Sequence, residues 1–137
     1  TQALFQVCER YVPDFTVLLH GGTNCKNHIL GPAYAPLEIK QAVARFEQIL
    51  KCNCQEKGLE LYTPNTNFDY GESKNPPVSF NLPSALTHIC GEPCVTYESN
   101  QGLADDPNGR AYSYDEIYNH HLILFKSLIE FLLKNNP

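Results

Sequence analysis

The stretch Phe15-Thr16-Val17-Leu18-Leu19-His20-Gly21-Gly22 decides the fold class that the sequence predicts. Its unbroken apolar run is typical of a strand in a parallel sheet that is covered on both faces. A second apolar run, Cys94-Val95-Thr96-Tyr97, leads into Glu98 in the same way. Open α/β sheets bind ligands outside the carboxyl ends of their strands, so His20 and Glu98 are predicted to lie at such an edge. The pair suits a zinc ligand and a general base, or two ordinary polar strand caps.

The composition limits the classes of protein to which the chain can belong. Its 137 residues suffice for a single domain, residues 1–137, and an apolar share of 42% excludes disorder. A net charge of −5, with only scattered Lys and Arg, argues against nucleic acid as a partner. No apolar run approaches the roughly 18 residues of a membrane span, and no signal peptide is visible. We therefore expect a cytoplasmic protein with no membrane partner.

Two features of residue usage bear on the history and the redox state of the chain. It contains no methionine and opens Thr1-Gln2-Ala3-Leu4, which is expected of a processed or truncated product. Its cysteines number six, but a chain with a full apolar core does not need disulfides as staples. We expect reduced thiols.

The spacing of apolar residues predicts helices between the strands. Apolar positions repeat at three and four from Leu37 to Lys57, and Leu82 to Cys90 predicts a short helix with Pro83 in its first turn. Ser113 and Glu116 form a capping box that opens a long terminal helix. Short strands are expected near 28–30 and 59–62. The predicted fold class is α/β, with a mixed, mostly parallel sheet flanked by helices.

Other residues could contribute chemistry beside His20. Cys25 and His28 could complete an N/S metal set with it, although three ligands so close in a glycine-containing loop would need tight folding. Tyr70 lies in a long loop, 63–77, of the length that is more often functional than decorative. Its phenol could close over a ligand, or it could be a surface aromatic. Three further histidines are expected to face solvent or to cap helices: His88, His120 and His121.

Together, Leu18-Leu19-His20-Gly21-Gly22 and Val95-Thr96-Tyr97-Glu98-Ser99-Asn100 resemble the second half of the zinc carboxypeptidase family, the funnelin-type metallopeptidases. The resemblance covers nearly the whole chain, including the order of helices and strands. It implies that His20 is the third zinc ligand and that Glu98 is the catalytic base. It also implies that Tyr70 matches the mobile tyrosine that hydrogen-bonds substrate, and that the cofactor is Zn²⁺.

One departure from the family pattern is severe. The first two zinc ligands of the family come from a His-x-x-Glu motif, and no such motif precedes His20. The resemblance therefore implies the C-terminal part of a catalytic domain that hydrolyses peptides or amide-linked amino acids, inactive as an isolated chain. The alternative is an inactive remnant that acts as an oligomeric or partner-dependent binding module. Either hypothesis predicts self-association or association with an upstream segment, because half a sheet leaves an unpaired edge.

Overall fold

The computed structural model describes residues 2–22, 27–61, 81–100 and 112–135 of the chain. They form a mixed α/β structure with four helices and a sheet of three strands. In chain order the elements are α1 (Gln2–Tyr11), β1 (Thr16–Gly22), β2 (His28–Leu30), α2 (Leu37–Glu56), α3 (Leu82–Cys90), β3 (Cys94–Asn100) and α4 (Tyr114–Asn135).

The helix ends follow local sequence signals. α3 begins after Asn81, whose side chain accepts a hydrogen bond from the backbone of Ser84, and ends at Gly91 with φ 74°. α4 begins with the predicted capping box. The backbone N–H of Ser113 donates to Glu116 Oε2 at 2.8 Å, and that of Glu116 donates to Ser113 Oγ at 3.3 Å. The helices predicted from spacing are therefore confirmed.

The sheet has the order β1-β3-β2. β1 pairs with β3 in parallel, whereas β2 pairs with β3 in antiparallel orientation. The expected mixed α/β class and the short strand at 28–30 are confirmed. One of the two described pairings is parallel, so a mostly parallel sheet stays a prediction.

The larger part of the core lies between one face of the sheet and helices α2 and α4. Val95 and Tyr97 of β3 point to this face, and both are fully buried. Phe46 of α2 packs against Phe15 and Phe131, with ring centroids 4.8 and 5.9 Å away. Such aromatic clusters bury large apolar areas and fix the spacing between layers.

Helices α1 and α3 cover part of the opposite face. Successive residues of a strand alternate between the faces, so Cys94 points away from Val95. Cys94 packs with Cys8 of α1 and Leu86 of α3, and Leu18 of β1 lies against this cluster. The face that carries Leu18 also carries the candidate site.

The short strand expected at 59–62 is wrong for 59–61, where the backbone has no strand pairing, although Leu59 and Leu61 pack against the core. Tyr62 lies outside the described residues. None of the described helices has the length and apolar character needed to cross a membrane.

Candidate functional site

The side chains of His20 and Glu98 are in direct contact. His20 Nδ1 lies 2.8 Å from Glu98 Oε2. The His20 side chain is 68% exposed, whereas that of Glu98 is 12% exposed. The sequence placed both residues at the carboxyl edge of the sheet, and in the structure they meet there.

The parallel register explains why they meet. His20 and Glu98 are Cα partners in the β1–β3 ladder, so their side chains leave the sheet on the same face. The sequence placed both residues at the ends of their strands. The ladder in fact continues through Gly22 and Asn100, because backbone pairing is indifferent to the polar side chains. The site therefore lies on the sheet face near its carboxyl edge, and not beyond the edge.

The contact fixes the roles of the two imidazole nitrogens. A carboxylate oxygen can only accept a hydrogen bond, so Nδ1 of His20 donates to Glu98. In the neutral ring, Nε2 then carries the lone pair with which an imidazole binds a metal ion. Histidines that bind metals commonly hold their other nitrogen against a carboxylate in this manner.

A cleft of about 600 Å³ opens beside the pair. Its wall is mainly apolar and comes from the three strands and the start of α3. The lining includes His20, Glu98, Thr96, Leu18, Leu19, Leu30, Asn81, Leu82 and Pro83. An apolar cleft with a few convergent polar groups is the usual form of a small-ligand site.

Hydrogen bonds hold the start of α3 against the loop that follows β2. Asn81 Nδ2 donates to the carbonyl of Gly31 at 3.5 Å, while Asn81 Oδ1 accepts from the backbone of Ser84 at 3.0 Å. The hydroxyl of Ser84 also donates to Asn81 Oδ1 and accepts from the backbone of Ala33 at 2.9 Å. This network fixes the start of α3, which forms one wall of the cleft, relative to β2.

His28 extends the row of polar residues across the sheet. It is the Cα partner of Glu98 in the β2–β3 ladder, and it is buried. The backbone therefore places His20, Glu98 and His28 side by side on three adjacent strands. The sequence hypothesis grouped His28 with His20 but gave no reason to expect Glu98 between them.

The described residues fit a zinc ion only in part. Nε2 of His20 is a suitable donor, but a zinc centre needs two more protein ligands. Within residues 2–22, 27–61, 81–100 and 112–135, no group of three or more His, Cys, Asp or Glu side chains could hold a metal ion. Cys25 and Tyr70, which the sequence analysis also singled out, lie outside these ranges.

Helix α4 contains a buried histidine that was not expected from the sequence. His120 was expected to face solvent or cap a helix, but it is 1% exposed. Its Nδ1 lies 3.5 Å from the Tyr97 hydroxyl, its ring stacks on Tyr112, and its Nε2 has no hydrogen-bond partner among the described residues. Burial, followed by the neighbouring His121, lowers the pKa of His120 to about 4.

The spacing of buried residues in α4 contained the signal for this histidine. His120 shares the helical face of three buried residues, Leu124, Ser127 and Phe131, at intervals of three and four. The expectation for His88, in contrast, is confirmed by its exposed position. His121 is partly buried, with Nδ1 lying 2.8 Å from the carbonyl of Ile117.

The chain was compared with family models, curated proteins and solved structures. None of these comparisons finds a match to the chain.

Proposed function

We propose that this chain carries the His20 and Glu98 part of a zinc-dependent, metallocarboxypeptidase-like hydrolase of peptides or amide-linked amino acids. The finer fold proposed with it is the C-terminal part of a zinc-carboxypeptidase-like domain, with a mostly parallel sheet. One observation carries the proposal. An imidazole and a poorly hydrated carboxylate meet at 2.8 Å on neighbouring parallel strands, beside a cleft.

The chemistry divides between the metal and the side chains. Zinc, when bound, polarises the scissile carbonyl and makes its water more acidic. Glu98 takes the proton from the attacking water and passes it to the leaving amine. Before reaction, the contact of Glu98 with Nδ1 fixes the orientation of the His20 ring, and Nε2 would be the atom that holds the metal. For the proton transfer, the Glu98 carboxylate would turn from Nδ1 toward the attacking water.

The lining of the cleft favours substrates with an apolar side chain. Leu18, Leu30, Leu82 and Pro83 form an apolar wall within the same cleft as Glu98. An apolar side chain next to the scissile amide would bury its surface there, at about 25 cal/mol per Å². Tyr70 is proposed as the residue that hydrogen-bonds the substrate, on the family resemblance alone.

The remaining zinc ligands must come from outside the described residues. The chain has no His-x-x-Glu sequence, so an upstream segment or another chain would supply that pair. We propose that the isolated chain has no catalytic activity for this reason. It also follows that zinc should bind this chain weakly and at His20.

A zinc titration followed by NMR tests the proposal. We expect Zn²⁺ to shift the imidazole resonances of His20 before those of the other histidines, and His20→Ala to remove this first event. His88→Ala, which removes an exposed histidine of α3, is the matched control and should leave it unchanged. A first response at another histidine, with His20 silent, would exclude His20 as a zinc ligand.

A test of the role of Glu98 requires the complete enzyme, with all of its zinc ligands. In a complex with a polypeptide that supplies a His-x-x-Glu pair, Glu98→Gln should retain zinc but lower kcat by at least about a hundredfold. Unchanged turnover in that variant would remove Glu98 from the mechanism, whatever the metal content. The side chains are nearly isosteric, so the change tests the charge and not the packing.

The second candidate is an inactive remnant that works as a binding module. The observation in its favour is the exposed apolar surface of α4, which no catalytic role requires. β1 also lies at the edge of the described sheet. Zinc binding at His20 would favour the hydrolase, whereas association without any zinc response would favour the module.

A further inference from the structure

Helix α4 exposes a long apolar stripe in addition to its buried face. Its members are large side chains with exposed fractions between 46% and 91%: Tyr114, Tyr118, Leu122, Phe125, Ile129 and Leu133. At 3.6 residues per turn, these positions fall within about 100° of the helix circumference. A helix that is apolar on two faces has one face to bury elsewhere.

The stripe is larger than the apolar patches that most monomeric proteins expose. The helix has 22 residues and is therefore about 33 Å long. Six large side chains at these exposures present an area on the order of 800 Å², which approaches the amount that each partner contributes to a standard interface. The largest apolar patch on a typical monomer is about 300 to 600 Å².

The spacing of the stripe reads the same from either end of the helix. Successive members are separated by 4, 4, 3, 4 and 4 residues. A two-fold axis between Leu122 and Phe125 would place each of these residues against the other in a second copy. The same axis would pair Tyr118 with Ile129, and Tyr114 with Leu133. Such self-complementarity is the requirement for a closed two-fold interface.

The helix dipoles agree with the same arrangement, because antiparallel packing opposes them favourably. The charged residues at the helix ends take little part in it. At 3.6 residues per turn, Glu116 and Lys134 lie about 150° from the centre of the stripe, and Lys134 pairs with Glu130 of its own chain at 2.7 Å. The proposed interface therefore rests on apolar contacts.

We propose that α4 is the interface of a two-fold homodimer, in which the helices of two copies pack antiparallel through this stripe. The occupant is a second copy of this chain because the stripe is palindromic and its exposed area approaches what one partner contributes to a standard interface. The inference does not rest on the hydrolase proposal, and neither His20 nor Glu98 takes part in it.

Reciprocal charge substitutions test both the surface and its orientation. The wild-type chain should have twice the 15.5 kDa mass of one chain by light scattering. Tyr118→Lys or Ile129→Glu alone should weaken association by at least about a hundredfold, because each buries an unpaired charge. The double variant should recover most of the affinity, since antiparallel packing sets each new Lys against the partner's new Glu. If the helices packed parallel, the double variant would place Lys against Lys and Glu against Glu, and it would remain a monomer.

Matched controls come from exposed apolar residues on other helices. Val7→Lys in α1 and Leu37→Glu in α2 replace side chains that are 53% and 67% exposed, and both variants should remain dimeric. Circular dichroism should show that every variant keeps its helices. A wild-type monomer at all concentrations, or a dimer that survives both single substitutions, would overturn the proposal. Binding of a monomer to phosphatidylserine vesicles would also overturn the proposal.

Discussion

His20 and Glu98 each lie two residues before the end of a strand, and the parallel ladder makes them partners. Thr16 and Cys94, the first residues of β1 and β3, are partners in the ladder. Residues at the same distance from these two starting points, such as His20 and Glu98, are therefore neighbours in space. The 2.8 Å contact between Nδ1 and Oε2 is therefore a product of backbone pairing. It does not require any distortion of either strand.

The His20–Glu98 contact should matter little for stability. The imidazole is largely exposed to water, and exposed ion pairs contribute roughly 0 to 1 kcal/mol. We expect His20→Ala and Glu98→Gln each to change the free energy of unfolding by less than about 1 kcal/mol in urea titrations. A loss of several kcal/mol in either variant would show that the pair is structural.

The free energy of unfolding should depend on pH through His120. Its pKa is lowered from 6.5 to about 4 in the folded chain, mainly because burial disfavours the charged ring. Between these values the unfolded chain binds more protons, so stability is fully present above pH 6.5 and is lost as pH falls toward 4. The loss should be at most about 3 kcal/mol in denaturation experiments.

The control for this prediction separates His120 from the charged groups around it. Its neighbours include His121, Glu116 and two tyrosines, Tyr97 and Tyr112. His120→Gln should flatten the pH dependence below pH 6.5, whereas His88→Gln should leave it unchanged. An unchanged slope in His120→Gln would assign the dependence to another group.

Two leucines of α2 should differ sharply in their contribution to stability. Leu50 is fully buried against the sheet, whereas Leu37 is 67% exposed. Leu50→Ala should lower the free energy of unfolding by about 2 to 5 kcal/mol, because it removes buried contacts and leaves a cavity. Leu37→Ala should change it by about 0.5 kcal/mol or less. Equal effects would contradict the described packing of α2.

The cysteines should react with alkylating agents at very different rates. The five described cysteines are free thiols, and Cys52 is exposed while Cys54, two residues later, is buried. Burial raises the pKa of Cys54 to about 11 and that of Cys94 to about 12. Timed iodoacetamide labelling with peptide mass spectrometry should modify Cys52 first. Rapid labelling of Cys94 in the folded chain would contradict its burial.

The cap of α3 should stabilise both the helix and the wall of the cleft. Asn81→Ala removes the hydrogen bonds to Ser84 and Gly31, which should cost about 0.5 to 2 kcal/mol in thermal or chemical unfolding. Asn81→Asp keeps the capping oxygen and should lose less. Equal losses in the two variants would show that the cap oxygen is not the important group.

The sequence predicted the helices and the two main strands because local signals act over a few residues. The capping box at Ser113 and Glu116 and Pro83 in the first turn of α3 were predicted from the sequence, and both are present in the structure. The strand ends were placed too early because His20 and Glu98 look like breaks in apolar runs. Backbone hydrogen bonds continue past them through Gly22 and Asn100.

By itself, the sequence determined the three helices predicted from local signals, the apolar runs of β1 and β3, and the two polar residues that follow these runs. Its further strand at 59–62 was wrong for 59–61. The tertiary structure alone decided that β1 and β3 pair in register, that His28 joins their row, and that His120 is buried. It also decided which of the two apolar faces of α4 meets α2 and the sheet. The physical reason is the sequence separation of the interacting residues. Helix caps and apolar periodicity depend on residues that are only a few positions apart. Register and burial depend on contacts between residues such as His20 and Glu98, which are 78 positions apart.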